Sequence, residues 1–132
     1  MKLRIRGNSL RLRLTKSEVL RIGACERVEE TISFGGASQS RLTYALIPSR
    51  DTKEPTAQFN GSTVAVSVPE ALARAWATGN EVGFEHSQAI GGGHSLKILV
   101  EKDWVCLTGR DNEDESDAYP HPHAGGSHAK CN

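Results

Sequence analysis

The chain has 132 residues, 37% apolar but only 5% aromatic, which suits one domain with a core of Leu, Val, Ile and Ala. Its 16 basic and 16 acidic residues cancel, but unevenly: residues 1–50 hold ten Lys/Arg against four Asp/Glu, residues 51–110 five against seven, and residues 111–132 one against five. No apolar run approaches the ~20 residues that span a bilayer, "MKLRIRGNS" lacks the apolar stretch of a secretory signal, and Cys25, Cys106 and Cys131 form no disulfide framework. A cytoplasmic protein with no membrane partner is therefore expected.

In chain order, Leu3 and Ile5 alternate with Arg4 and Arg6, Gly7-Asn8 can turn, and Leu10, Leu12 and Leu14 alternate with Arg11 and Arg13. This predicts a hairpin with one buried face. Thr15-Lys16-Ser17-Glu18 fits a capping box, in which the Thr hydroxyl and the Glu carboxylate each satisfy a free backbone N–H. A short helix follows, with Val19 and Ile22 on one side. Val28, Glu30, Ile32 and Phe34 alternate again, "GGASQS" reads as a loop, and Leu42, Tyr44 and Leu46 mark a fourth strand. The unit is strand, strand, helix, strand, strand.

Fifty-four residues on, the unit recurs. Ala57 and Phe59 stand for Leu3 and Ile5, Gly61 for Gly7, and Val64, Val66 and Val68 for Leu10, Leu12 and Leu14. Pro69 supplies the second helix start, and Leu72, Ala75 and Trp76 give its apolar stripe. Val82 stands for Val28, "AIGGGH" for the glycine loop, and Leu96, Ile98 and Val100 for Leu42, Tyr44 and Leu46, with no gap. Half a chain of this size cannot cover its own strand edges. Two halves pairing edge to edge would bury both apolar faces, so a closed barrel is expected. Lys102-Asp103 can turn the chain, and Trp104, Val105 and Leu107 fit a last strand that closes that barrel or carries the tail to its place.

"RIRGNSLRLRLTKSEV" resembles the N-terminal arm of the AbrB/MazE family, and "GSTVAVSVPEAL" resembles the same arm. The resemblance covers about residues 2–48 and 56–102. It implies an α+β, mainly β fold: a single barrel-like domain over 1–108, built from two ββαββ repeats as a swapped-hairpin pseudo-dimer within one monomer. An irregular acidic and histidine-containing tail occupies 109–132. Members of that family are usually homodimers, and many bind DNA. The whole chain also resembles an uncharacterised bacterial family in "GNSLRLRLTKSEV", in "LVEKDWVCL" and in the acidic run ending "DAYPHP".

Two groups of residues bear on function. Arg4, Arg6, Arg11 and Arg13 are expected on the outward face of the first hairpin, with Asn8 at its turn and Lys16 nearby. Guanidiniums crowded together repel unless they meet anions, and nucleic-acid phosphate is one such anion. Glu29, Glu30 or the acidic tail are others. The repeat places Gln58, Asn60, Ala65 and Ser67 at the matching positions, so one chain offers one basic arm. The second group is Cys106, His121, His123, His128 and Cys131, whose imidazoles and thiolates suit zinc but whose spacing matches no ordinary finger. Asp111, Glu113, Asp114, Glu115 and Asp117 precede those histidines; they can cover the arginine face or form a polar tail that recruits a protein partner. Cys25 reads as an incidental or core thiol, and His94 sits in a glycine loop of the kind that carries sites. No phosphate-loop motif or serine triad is present. The expectation is a non-enzymatic binding module for nucleic acid, with a metal- or small-molecule-binding protein, enzymatic or not, that uses the C-terminal Cys and His residues, or an antitoxin-type adaptor, as the alternatives.

Overall fold

A computed structural model describes residues 1–36 and 40–103. Ten elements follow in order: β1 (Lys2–Arg6), β2 (Ser9–Leu14), α1 (Lys16–Gly23), β3 (Val28–Ser33), β4 (Arg41–Ser49), β5 (Thr56–Phe59), β6 (Thr63–Pro69), α2 (Glu70–Thr78), β7 (Gly83–Gly91) and β8 (His94–Lys102). The described residues are mainly β with two helices, as the alternation patterns predict. The strands form two four-stranded sheets, ordered β1-β2-β8-β7 and β3-β4-β6-β5.

Each sheet draws two strands from each half of the chain. The pairing is regular in number as well as in order. Leu3 faces Leu12 and Ala57 faces Val66; Leu10 faces Ile98 and Val64 faces Tyr44 across parallel pairs. Leu3 and Ala57, Leu12 and Val66, Leu10 and Val64, and Tyr44 and Ile98 are each 54 positions apart. One ladder departs from this spacing. Val28 faces Leu46, but Phe84 rather than Val82 faces Val100. Val82 lies outside β7, and its carbonyl accepts from the Trp76 indole Nε1–H at 3.1 Å and the Lys102 N–H at 2.9 Å. Phe84 then meets Trp76 edge-on, with ring centroids 5.5 Å apart. The gapless alignment expected from sequence thus fails by two residues in β7, where Trp76 is far bulkier than Ile22. Gly83 permits the shift because a Cβ there would run into the Val100 carbonyl.

One apolar core joins both sheets and both helices: Leu12, Leu14, Ile98 and Val100 from the first sheet, Val28, Leu46, Val66 and Val68 from the second, and Val19, Ile22, Ala73 and Trp76 from the helices. α1 begins as its sequence predicts. The Glu18 N–H donates to the Thr15 hydroxyl, and the Thr15 N–H donates to Glu18 Oε1 at 2.8 Å. In α2, Pro69 is the residue before the first turn and gives no side-chain cap. The buried residues there are Ala73 and Trp76; Leu72 is half-buried and Ala75 exposed, so the expected stripe is rotated. The rotation turns Ala77 toward α1, where a Cβ on Gly23 would sit 2.8 Å from the Ala77 Cβ.

Among the described residues the expected barrel is not closed. β1 and β7 are edges of one sheet, β3 and β5 of the other, and no ladder joins them. Side chains bridge the two seams instead. At the first, the Met1 ammonium donates to Glu30 Oε2 at 2.8 Å, and the Tyr44 hydroxyl donates to the Met1 carbonyl at 3.2 Å. At the second, the Ala57 N–H donates to Gln88 Oε1 at 2.7 Å, and Gln88 Nε2 donates back to the Ala57 carbonyl at 3.2 Å. The Gln88 amide takes the place of a peptide group of a neighbouring strand. Trp104, Val105 and Leu107 lie outside the described residues. No helix among the described residues is long and apolar enough to cross a membrane.

Candidate anion-binding face

The outer face of the β1-β2-β8-β7 sheet is built by strict alternation. Leu3, Ile5, Leu10 and Leu12 take one side of the first hairpin, which leaves Lys2, Arg4 and Arg6 of β1 and Arg11 and Arg13 of β2 on the other. Register then sets like charges against each other: Arg4 lies directly opposite Arg11, and Lys2 opposite Arg13. Such pairs are destabilising unless an anion lies between them. β8 adds Lys97 beside Ser9 and Glu101 beside Arg13. β7, two strands from the arginines of β2, adds Glu85 opposite Leu99.

Glu101 is the main counter-charge. Its Oε1 lies 3.3 Å from Arg13 Nη2 and 3.7 Å from Arg11 Nε. Lys2 Nζ meets Asp103 Oδ2 at 3.4 Å. Arg4 and Arg6 are exposed and make no ion pair among the described residues, and the same holds for Lys97. The carboxylates expected to neutralise the arginines are used elsewhere: Glu29 pairs with Arg27 at 2.8 Å, and Glu30 holds the Met1 ammonium. Glu101, Asp103 and Lys97 escape a reading of the hairpin alone because only the parallel pairing of β2 with β8 brings them in. The signal for them was the outward alternation of Lys97, Leu99 and Glu101 against Ile98 and Val100.

The other expected members of the site sit differently. Asn8 is at the turn, but its Nδ2 donates to the Ser95 carbonyl at 2.7 Å, and its own carbonyl accepts from the Lys97 N–H at 3.1 Å. It ties the hairpin tip to β8. Lys16 is exposed in the first turn of α1, off the sheet face, with no ion pair among the described residues. Cys106, His121, His123, His128, Cys131 and the acidic run 111–117 lie outside the described residues. Among those described, no three His, Cys, Asp or Glu side chains are grouped to hold a metal ion. His94 is exposed at the start of β8. Cys25 adopts the left-handed conformation, φ 65°, and accepts a hydrogen bond from Arg74 Nη2 at 3.2 Å.

The perturbed titratable groups among the described residues gather at the first seam. The Met1 ammonium, fully covered, lies 2.6 Å from Glu18 Oε2 and 2.8 Å from Glu30 Oε2. Burial pushes its pKa down, but the two carboxylates outweigh burial and hold it above 8.0. Burial likewise pushes Glu18 up; hydrogen bonds from the ammonium and from Thr15 outweigh this and hold it below 4.5. Burial and the charges of Glu30 and Glu18 raise the Tyr44 phenol. Every member has a partner, so the cluster locks β1 against β3 and α1.

Among the described residues, two mixed four-stranded sheets, two short helices and a basic sheet face define an α+β protein. The chain belongs to the family of unknown function DUF7009, which it matches over residues 1–123. No curated protein and no solved structure matches it.

Proposed function

We propose that the protein is a non-enzymatic nucleic-acid-binding module that uses the outer face of the β1-β2-β8-β7 sheet. Arg4 and Arg6 supply the first phosphate contacts and Arg11, the more loosely held of the two arginines that Glu101 pairs with, adds another. The observation that carries this reading is the register itself: Arg4 stands opposite Arg11 and Lys2 opposite Arg13, while Arg4 and Arg6 have no counter-charge among the described residues. A second anionic partner resolves that repulsion, and guanidinium suits phosphate. The face of the other sheet offers neutral residues at the matching positions, Gln58, Ala65 and Ser67, so the surface is one-sided.

The same reading holds that the chain is a fused, intertwined pair of ββαββ halves of AbrB/MazE type. The 54-residue correspondence between ladders supports it, as does the approach of Gly23 to Ala77, which are themselves 54 apart. Residues 1–108 would form the domain and 109–132 a tail.

The test is the salt dependence of duplex DNA binding. Replacing Arg4 and Arg11 with Gln weakens binding to all sequences and reduces the slope of log K against log salt by roughly 0.9 for each phosphate that the variant no longer neutralises. If the wild-type chain binds neither DNA nor RNA at low salt, the proposal fails.

A further inference from the structure

We infer that the acidic run Asp111–Asp117 is a built-in competitor that docks on the arginine face of its own chain. The inference rests on the face described above and concerns its regulation. Three observations lead to it. First, the end of β8 already begins to neutralise that face: Glu101 takes Arg11 and Arg13, and Asp103 takes Lys2. Arg4, Arg6 and Lys97 are left over among the described residues, so the face keeps a net positive charge.

Second, the chain leaves the described residues from the face itself. The Asp103 N–H donates to the Leu14 carbonyl at 2.7 Å while its carboxylate meets Lys2. This fixes the departure point at the Lys2–Arg13 end of the face. Third, length and charge match. Lys2 to Arg6 spans about 13 Å of strand, and the eight residues from Asp103 to Asp111 reach up to about 26 Å when extended. Asp111, Glu113, Asp114, Glu115 and Asp117 therefore have reach to spare for Arg4 and Arg6. Tethering makes the encounter intramolecular, at an effective concentration in the millimolar range for a linker this short. An external polyanion must displace the run before it binds.

The experiment uses the full chain and a variant with all five acids neutralised, D111N/E113Q/D114N/E115Q/D117N. Amide chemical shifts are compared at 25 mM and 500 mM NaCl. Docking predicts low-salt differences between the two proteins at Lys2–Arg6, Arg11 and Lys97, which collapse at high salt and are missing from Thr63–Ser67. No difference at those residues at low salt overturns the inference. A second arm titrates both proteins with a fluorescein-labelled 24-base-pair duplex at 50 mM NaCl. The variant is expected to bind at least about tenfold more tightly, because freed arginines add phosphate contacts. Equal duplex affinity of the two proteins overturns the competitor role. Shift differences with no duplex binding by either protein uphold docking and reject nucleic acid as the partner.

Discussion

Glu18 shows how much one side chain can carry. It closes the capping box of α1 and, through its other oxygen, holds the Met1 ammonium. The sign of its pH dependence follows from the two shifts. The Glu18 pKa is lowered on folding, so its contribution is present above 4.5 and is lost as pH falls through the folded value. The ammonium's pKa is raised, so its contribution is present below 8.0 and is lost as pH rises through its folded value. Stability should therefore be greatest between these limits. Glu18→Gln keeps a capping acceptor but removes the charge. We expect it to cost about 1 kcal/mol at pH 6–7 and to flatten the acid limb, as measured by urea unfolding across pH 3–9. An unchanged acid limb would show that Glu18 contributes no linkage. The capping role was legible from Thr15-x-x-Glu18, since both groups are local. The ammonium contact was not, because it spans 17 residues and depends on how β1 lies against α1.

At the scale of elements, the helix crossing is a close contact. α1 and α2 meet where Gly23 approaches Ala77, and a methyl group at residue 23 would lie 2.8 Å from the Ala77 methyl. Gly23→Ala gains helix propensity but must push the helices apart. Overpacking of this kind typically costs about 1–3 kcal/mol, more than propensity returns. Ala77→Gly in the same chain should recover most of the loss, since it removes the opposing methyl. A double-mutant cycle by thermal or urea unfolding checks this; strictly additive effects would mean that the two residues do not press on each other. The strand patterns were readable because period-two alternation is written locally. The α2 face was misread because three apolar residues, Leu72, Ala75 and Trp76, fit one helical stripe as well as Ala73, Trp76 and Ala77 do. Neighbouring elements made the choice.

For the whole molecule, the important fact is that the two sheets exchange strands between the chain's halves and yet, among the described residues, share no ladder. Their seams are held by side chains, and Gln88 spans one of them by pairing both polar groups of the Ala57 residue. Gln88→Ala removes two hydrogen bonds and leaves the Ala57 N–H and carbonyl without that partner. The expected loss is about 1–3 kcal/mol, accompanied by faster hydrogen exchange at Ala57. Gln88→Glu should keep the bond from the Ala57 N–H but place a carboxylate against the Ala57 carbonyl, so it rescues only in part. Unchanged exchange at Ala57 in the alanine variant would show that Gln88 does not hold the seam.

The sequence by itself determined the elements, their order, the α1 cap and the separation of leucines from arginines, because each depends on residues within a turn or a strand of one another. Tertiary structure decided which strands meet. Parallel pairing of β2 with β8 brings Glu101 to Arg13 across 88 residues, and β7 sets Phe84 rather than Val82 opposite Val100, with Phe84 packed edge-on against Trp76. It also decided how the sheet edges meet: among the described residues no backbone ladder joins β1 to β3 or β5 to β7, and side chains link those edges instead. No local pattern encodes such contacts; they follow from how two apolar faces and two helices fill one core.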